Sequence, residues 1–165
     1  MQRIYNMTTT VSLLPEELLV AAYAHETREE ERYRMLALRF LPFDAVASRL
    51  LQMLADESEQ RLEALLCVAE RLECAEFPVR PDMGGTVVKE RHFFIVNERM
   101  AVQMLAQTLV DEHRSLSFYR QLADANATPQ IHKLLAGFIQ QKQAQIRVLE
   151  ESQNHELVSG VRYIA

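Results

Sequence analysis

Two cysteines and no Cys-x-x-Cys pair leave this chain without ligands for an iron–sulfur or cysteine-based structural zinc module. Cys67 and Cys74 fall on one expected helix seven residues apart, about 10 Å along its axis, too far to bond to each other. No uninterrupted apolar run reaches the roughly 18 residues of a membrane span, and Met1 to Thr10 lacks the apolar core of a signal peptide. A cytoplasmic protein with no membrane partner is therefore expected. An excess of positive charge is also missing. The formal charge is −5, so duplex nucleic acid and anionic lipid would find no basic footprint to reward them. No Gly-x-x-x-x-Gly-Lys, Gly-x-Gly-x-x-Gly or Gly-x-Ser-x-Gly occurs, which removes support for nucleotide binding and serine hydrolysis. His92, His132 and His155 have no partner at the spacing of a helical metal pair.

What is present is helical periodicity. The chain has 165 residues, 48% apolar and 25% charged, the balance of one globular domain able to bury a sizeable core, here 1–165 as a single unit. Apolar residues recur at steps of three and four over about 15–41, with Leu18, Leu19, Ala22, Tyr23, Tyr33, Leu36, Ala37 and Phe40 on one face. Pro15 suits a first helical turn, and Pro42 stops the segment. Asp44 can cap a second helix over about 45–74, carrying Leu51, Leu54, Ala55, Leu62, Leu65 and Leu66. The stretch 75–92 holds Pro78, Pro81 and Gly84-Gly85 without an amphipathic repeat and reads as a connection. A third helix over about 93–125 turns Ala101, Met104, Leu105, Thr108, Leu109, Leu116, Tyr119 and Leu122 inward, and a fourth spans about 129–156. The methionines, Met53, Met100 and Met104 among them, sit at core spacing.

The fold class that follows is all-α, a four-helix bundle. Short links make two antiparallel hairpins, and the long middle link joins them as a crossover, the ferritin-like topology. The halves also resemble each other. Glu26-Thr-Arg-Glu-Glu-Glu-Arg-Tyr33-Arg34-Met-Leu36-Ala37 lies over Glu112-His-Arg-Ser-Leu-Ser-Phe-Tyr119-Arg120-Gln-Leu122-Ala123, with Glu, Tyr, Arg, Leu and Ala in register.

On these residues the chain resembles the rubrerythrin branch of the ferritin-like superfamily, whose first and third helices carry a ligand Glu followed seven residues later by an aromatic. The resemblance covers all four helices. It implies a di-iron centre held by one Glu from each of helices one and three and by Glu-x-x-His on each of helices two and four. Glu26 and Glu112 match the first two ligands, and Tyr33 and Tyr119 stand behind them. The other half of the set is missing. Aligning helix two with helix four by their apolar positions puts Ser58-Glu-Gln-Arg61 opposite Lys142-Gln-Ala-Gln145, and neither is Glu-x-x-His. A one-residue slip offers Glu57 as a third carboxylate.

Two carboxylates inside a bundle repel and resist ionisation unless cations accompany them. Arg61 and Lys142 occupy the positions of the lost ligands, one per helix. The expectation is a network of Glu26, Glu112, Arg61 and Lys142 in place of metal. His25 and His113, adjacent to the two Glu residues, are read as surface residues because neighbouring helix positions diverge by about 100 degrees. The functional expectation is a ferritin-like bundle with a degenerate di-iron site, metal-poor, without a cofactor and non-catalytic, acting by binding or by self-association as a homodimer. The alternative is an iron-binding oxidoreductase or iron-handling protein using a reduced carboxylate site of Glu26, Glu112 and Glu57.

Overall fold

The computed structural model describes residues 12–74, 77 and 93–161, with side chains up to Asn154. Four helices account for almost all of it: α1 (Pro15–Phe40), α2 (Ala45–Arg71), α3 (Glu98–Asp124) and α4 (Pro129–Val161). No strand occurs among the described residues; Leu13 and Asn126 form one isolated bridge. No described helix is long and apolar enough to cross a membrane. The connection 75–92 and the apolar tail residues Tyr163 and Ile164 lie outside the described residues, apart from Phe77, which packs edge-on against Tyr23.

Local chemistry explains where the helices begin. Pro15 opens α1, and the Glu17 carboxylate accepts the Leu14 backbone N–H at 3.0 Å, satisfying one otherwise unbonded donor. Asp44 accepts from the amides of Val46 and Ala47, an N-cap of the expected kind. α3 begins five residues later than periodicity indicates. Asn97 caps it through the Met100 amide, while Phe93 to Val96 is held outside the helix by Arg39, whose carbonyl accepts from Ile95 and whose side chain donates to the Phe93 carbonyl. Ile95 is thereby driven into the core.

α2 ends three residues earlier than expected. Glu73 adopts a left-handed backbone with φ of 54°, the Cys74 amide bonds the Ala69 carbonyl, and the Glu73 amide bonds that of Glu70. This is a Schellman closure built on a residue other than glycine, so no sequence signal marked it.

Packing joins α1 chiefly to α2 and α3 chiefly to α4. Leu13, just before α1, bonds the Ala125 carbonyl just after α3, while Ile95, just before α3, bonds Arg39 near the end of α1. The ends of α1 and α3 therefore meet head to tail. The core lies in two apolar layers. One gathers Leu18, Leu19, Ala22, Leu62, Leu65, Leu122, Ile131, Leu135 and Phe138. The other gathers Leu36, Phe40, Leu51, Leu54, Ile95, Leu105 and Leu149. Two residues expected in the core face outward instead: Met53 is 56% exposed and Leu66 is 38% exposed.

Because a non-glycine residue in the left-handed region costs about 1 kcal/mol, Glu73→Gly should stabilise the protein by up to that amount. Urea denaturation of the two proteins checks it, and a loss of stability would refute the role given to this closure.

Candidate functional site

Between the two apolar layers the four helices turn polar side chains inward. α1 supplies Glu26 and Glu29, one helical turn apart on the same face. α2 supplies Ser58 and Arg61, α3 supplies Thr108, Glu112 and Ser115, and α4 supplies Lys142 and Gln145; all are buried. Arg61 and Lys142 are among the largest fully buried side chains, so the layer is a built part of the core.

The charges pair in two clusters. In the first, Arg61 Nε lies 3.0 Å from Glu26 Oε2, an ion pair without hydrogen-bond alignment between those two atoms. Arg61 also donates to Ser58 Oγ at 2.9 Å and reaches Gln141 Oε1 at 3.5 Å. Tyr119 completes the cluster by donating its hydroxyl to Glu26. In the second, Lys142 Nζ lies 3.3 and 3.4 Å from the two Glu112 oxygens and 3.4 Å from Glu29 Oε2. Arg32 enters from the half-buried edge, donating to Glu29 at 2.7 Å, to Glu112 at 3.2 Å and to Asp111 at 3.4 Å. Tyr33 donates to Glu112. Each tyrosine thus serves the carboxylate of the other half of the chain, Tyr33 that of Glu112 and Tyr119 that of Glu26.

Three buried carboxylates face three cations, and the balance is uneven. Burial pushes the Glu112 carboxyl up to about 7; Lys142 opposes this and the neighbouring Glu29 reinforces it. For Glu29 burial acts upward too, but Lys142 and Arg32 together outweigh it and the net direction is down. Glu29 is the ionised member of this pair near neutrality, and Glu112 the member that holds a proton more readily. Burial also pushes the Tyr119 hydroxyl well above its ordinary range, with the Glu26 charge adding to it, so Tyr119 stays a donor.

The structure brings Glu26, Glu112, Arg61 and Lys142 into one layer with Tyr33 and Tyr119. Glu57 does not join them. Its side chain is 43% exposed, it accepts from Gln145, and it lies 4.0 Å from Arg61. The three-carboxylate site Glu26, Glu112 and Glu57 is therefore corrected: α2 turns Ser58 inward and Glu57 toward its flank. His25 is a second correction. It is partly buried, stacks on Phe118 with ring centroids 4.2 Å apart, and meets Ser115 Oγ at 2.7 Å. Desolvation moves its pKa down. His113 is exposed. Glu29 and Arg32 are additions that sequence reasoning missed; the three-residue step from Glu26 to Glu29 was the available signal.

Iron of the kind the resemblance implies does not fit this layer. The inward positions of α2 and α4 offer a hydroxyl, a guanidinium, an ammonium and an amide, none of them an imidazole or carboxylate, and each buried carboxylate already has a cation against it. Among the described residues no three His, Cys, Asp or Glu side chains form a group able to hold a metal ion. No family model, curated protein or solved structure matches the chain.

Two predictions follow from this geometry. Removing one member of a buried ion pair strands its partner, so Arg61→Ala and Lys142→Ala should each cost about 3 to 5 kcal/mol. Arg114→Ala, which breaks a pair with Asp111 at a side chain 73% exposed, should cost less than about 1 kcal/mol. Chemical denaturation of the three variants checks the contrast, and equal small losses would refute it.

The second concerns pH. An acid whose folded pKa stands above its unfolded value contributes stability below the unfolded value and loses it as pH rises through the folded one. For Glu112 that window runs from 4.5 through about 7. His25, lowered from 6.5, acts oppositely, but only below 6.5, and Glu29 acts oppositely below 4.5. From pH 6.5 to about 7 stability should therefore fall, at less than about 1.4 kcal/mol per pH unit, and the fall should fade above about pH 7, where Glu112 is ionised in the folded state as well. Melts of Glu112→Gln over the same range should lack that fall, and an unchanged slope would remove Glu112 as its source.

Proposed function

We propose that the chain is a ferritin-like bundle of the rubrerythrin type in which an ion-pair network stands where a paired-metal centre would, and that it is a non-catalytic protein acting by binding or by pairing with a second copy. The observation that carries this reading is the position of two cations. Arg61 on α2 and Lys142 on α4 face Glu26 and Glu112 from the helices that would supply the remaining ligands, at 3.0 and 3.3 Å. Helix order supports the same reading. The end-to-end bonds between α1 and α3 and the pairing of α1 with α2 and of α3 with α4 agree with two antiparallel hairpins, the end of α2 and the start of α3 lying at opposite ends of the bundle.

The chemistry of the layer points away from turnover. Positive side chains inside the carboxylate shell repel a divalent cation, and ammonium and guanidinium groups cannot coordinate one while protonated. Glu26 is in this view a structural anion paired with Arg61, and Glu112 a carboxyl that keeps its proton toward neutrality. The tyrosine hydroxyls hold their orientation. Function is then assigned to the outer faces of the helices, including self-association.

Anaerobic incubation with ferrous iron, followed by gel filtration and metal analysis, tests the proposal. The expected result is no specific iron. Retention of close to two irons per chain, lost in Glu112→Ala, would replace this reading with an iron-dependent oxidoreductase or iron-handling protein.

A further inference from the structure

Over its last turns α1 becomes apolar on the side that faces away from the bundle. Glu31, Met35, Leu38 and Pro42 follow at steps of four, three and four, so they form one stripe, and all four are exposed. Leu41 and Phe43 widen the stripe toward α2. Phe93 and Phe94 widen it on the other side, where the Arg39 side chain holds the Phe93 carbonyl and the two rings meet edge to face at 5.0 Å. Met35, Leu38, Leu41, Phe43, Phe93 and Phe94 are each 40 to 58% exposed. At roughly 200 Å² for a whole side chain of this size they leave on the order of 600 Å² of apolar surface bare, the upper end of what monomers show in one patch. A standard interface takes about 800 Å² from each partner, a little over half of it apolar, so the patch is large enough to serve one.

Charge decides what can cover it and in which direction. Before the patch, the flank shared by α1 and α2 is acidic: Glu30 and Glu59 pair with Arg34, Asp56 acts on the same guanidinium, and Glu31 is exposed beside them. At the patch, Arg49 is exposed in the groove that Leu38 and Leu41 line, and it forms no ion pair among the described residues. The surface is therefore complementary to itself turned end over end. Two α1 helices laid antiparallel, centred between Met35 and Leu38, would set apolar stretch on apolar stretch and Arg49 of each copy against the acidic flank of the other. A parallel arrangement would oppose acid with acid.

We propose that this outer face of α1 is the seam of a two-fold dimer of the chain, with the two α1 helices antiparallel across it. The proposal rests on the self-association half of the function given above and is independent of whether the ionic layer replaces metal.

Sedimentation of the full chain over a micromolar concentration series tests it. The wild type is expected to dimerise. Met35→Glu and Leu38→Glu, at exposed positions, should each raise the dimer dissociation constant at least about tenfold while helical circular dichroism is kept. Val110→Glu, at an exposed apolar position on α3, should leave the constant unchanged. Arg49→Glu and Glu59→Arg should each weaken the dimer, and the two together should restore it. A dimer indifferent to Leu38→Glu, or one that the double variant does not restore, would overturn this seam and leave self-association standing; a monomeric wild type would overturn both.

Discussion

Burying charge in the middle of a helical bundle is the constraint to which the rest of this structure answers. Water is removed from the three carboxylates of the polar layer, Glu26, Glu29 and Glu112, and only cations brought to within about 3 Å make their ionisation tolerable. That requirement explains why the polar layer draws on all four helices. No single helix can surround a carboxylate, since adjacent positions on it point in different directions. Arg61 therefore comes from α2, Lys142 from α4 and the tyrosine hydroxyls from the opposite half of the chain. The apolar layers on either side then exclude water from the pairs they flank.

The two halves solve the same problem with different means. Around Glu26 one guanidinium lies 3.0 Å from the carboxylate, turns its other donors to Ser58 and Gln141, and stands 4.0 Å from Glu57. Around Glu112 an ammonium, a compact point charge, is divided between two carboxylates, and Arg32 among three, Glu29, Glu112 and Asp111. Burial raises the Glu112 carboxyl toward neutrality, and the neighbouring Glu29, which draws on the same cations, adds to that rise. The repeat between α1 and α3 is thus one of positions more than of chemistry: Glu29 corresponds to Ser115, so the first half brings an extra carboxylate and the second a hydroxyl that meets His25.

Much of this was legible in the sequence because helical spacing is a strong signal over segments of 26 residues and more. Aligning α2 with α4 by their leucines placed Ser58 opposite Lys142 and Arg61 opposite Gln145, and all four side chains are buried together. The gaps have physical reasons. Glu29 sits in the run Glu26 to Arg34, where composition reads as a solvated face, and only the position of Lys142 on another helix reveals why it turns inward. The end of α2 carries no glycine, since Glu73 takes the left-handed conformation itself. Ile95 belongs to no helix, yet it fills the core because Arg39 holds its backbone. Met53 keeps core spacing without core burial because α4 stands off from α2 at that level.

The mixed layer also acts as an index mark for assembly. Leucines above and below it are nearly interchangeable, so a helix slid by one turn, about 5.4 Å, would still meet apolar neighbours. Lys142 slid by the same amount would leave both Glu29 and Glu112 behind and enter hydrocarbon. Alternative alignments of the helices are thereby penalised at a single level of the bundle, and the chain is left with one stacking of its four rods instead of several of similar energy.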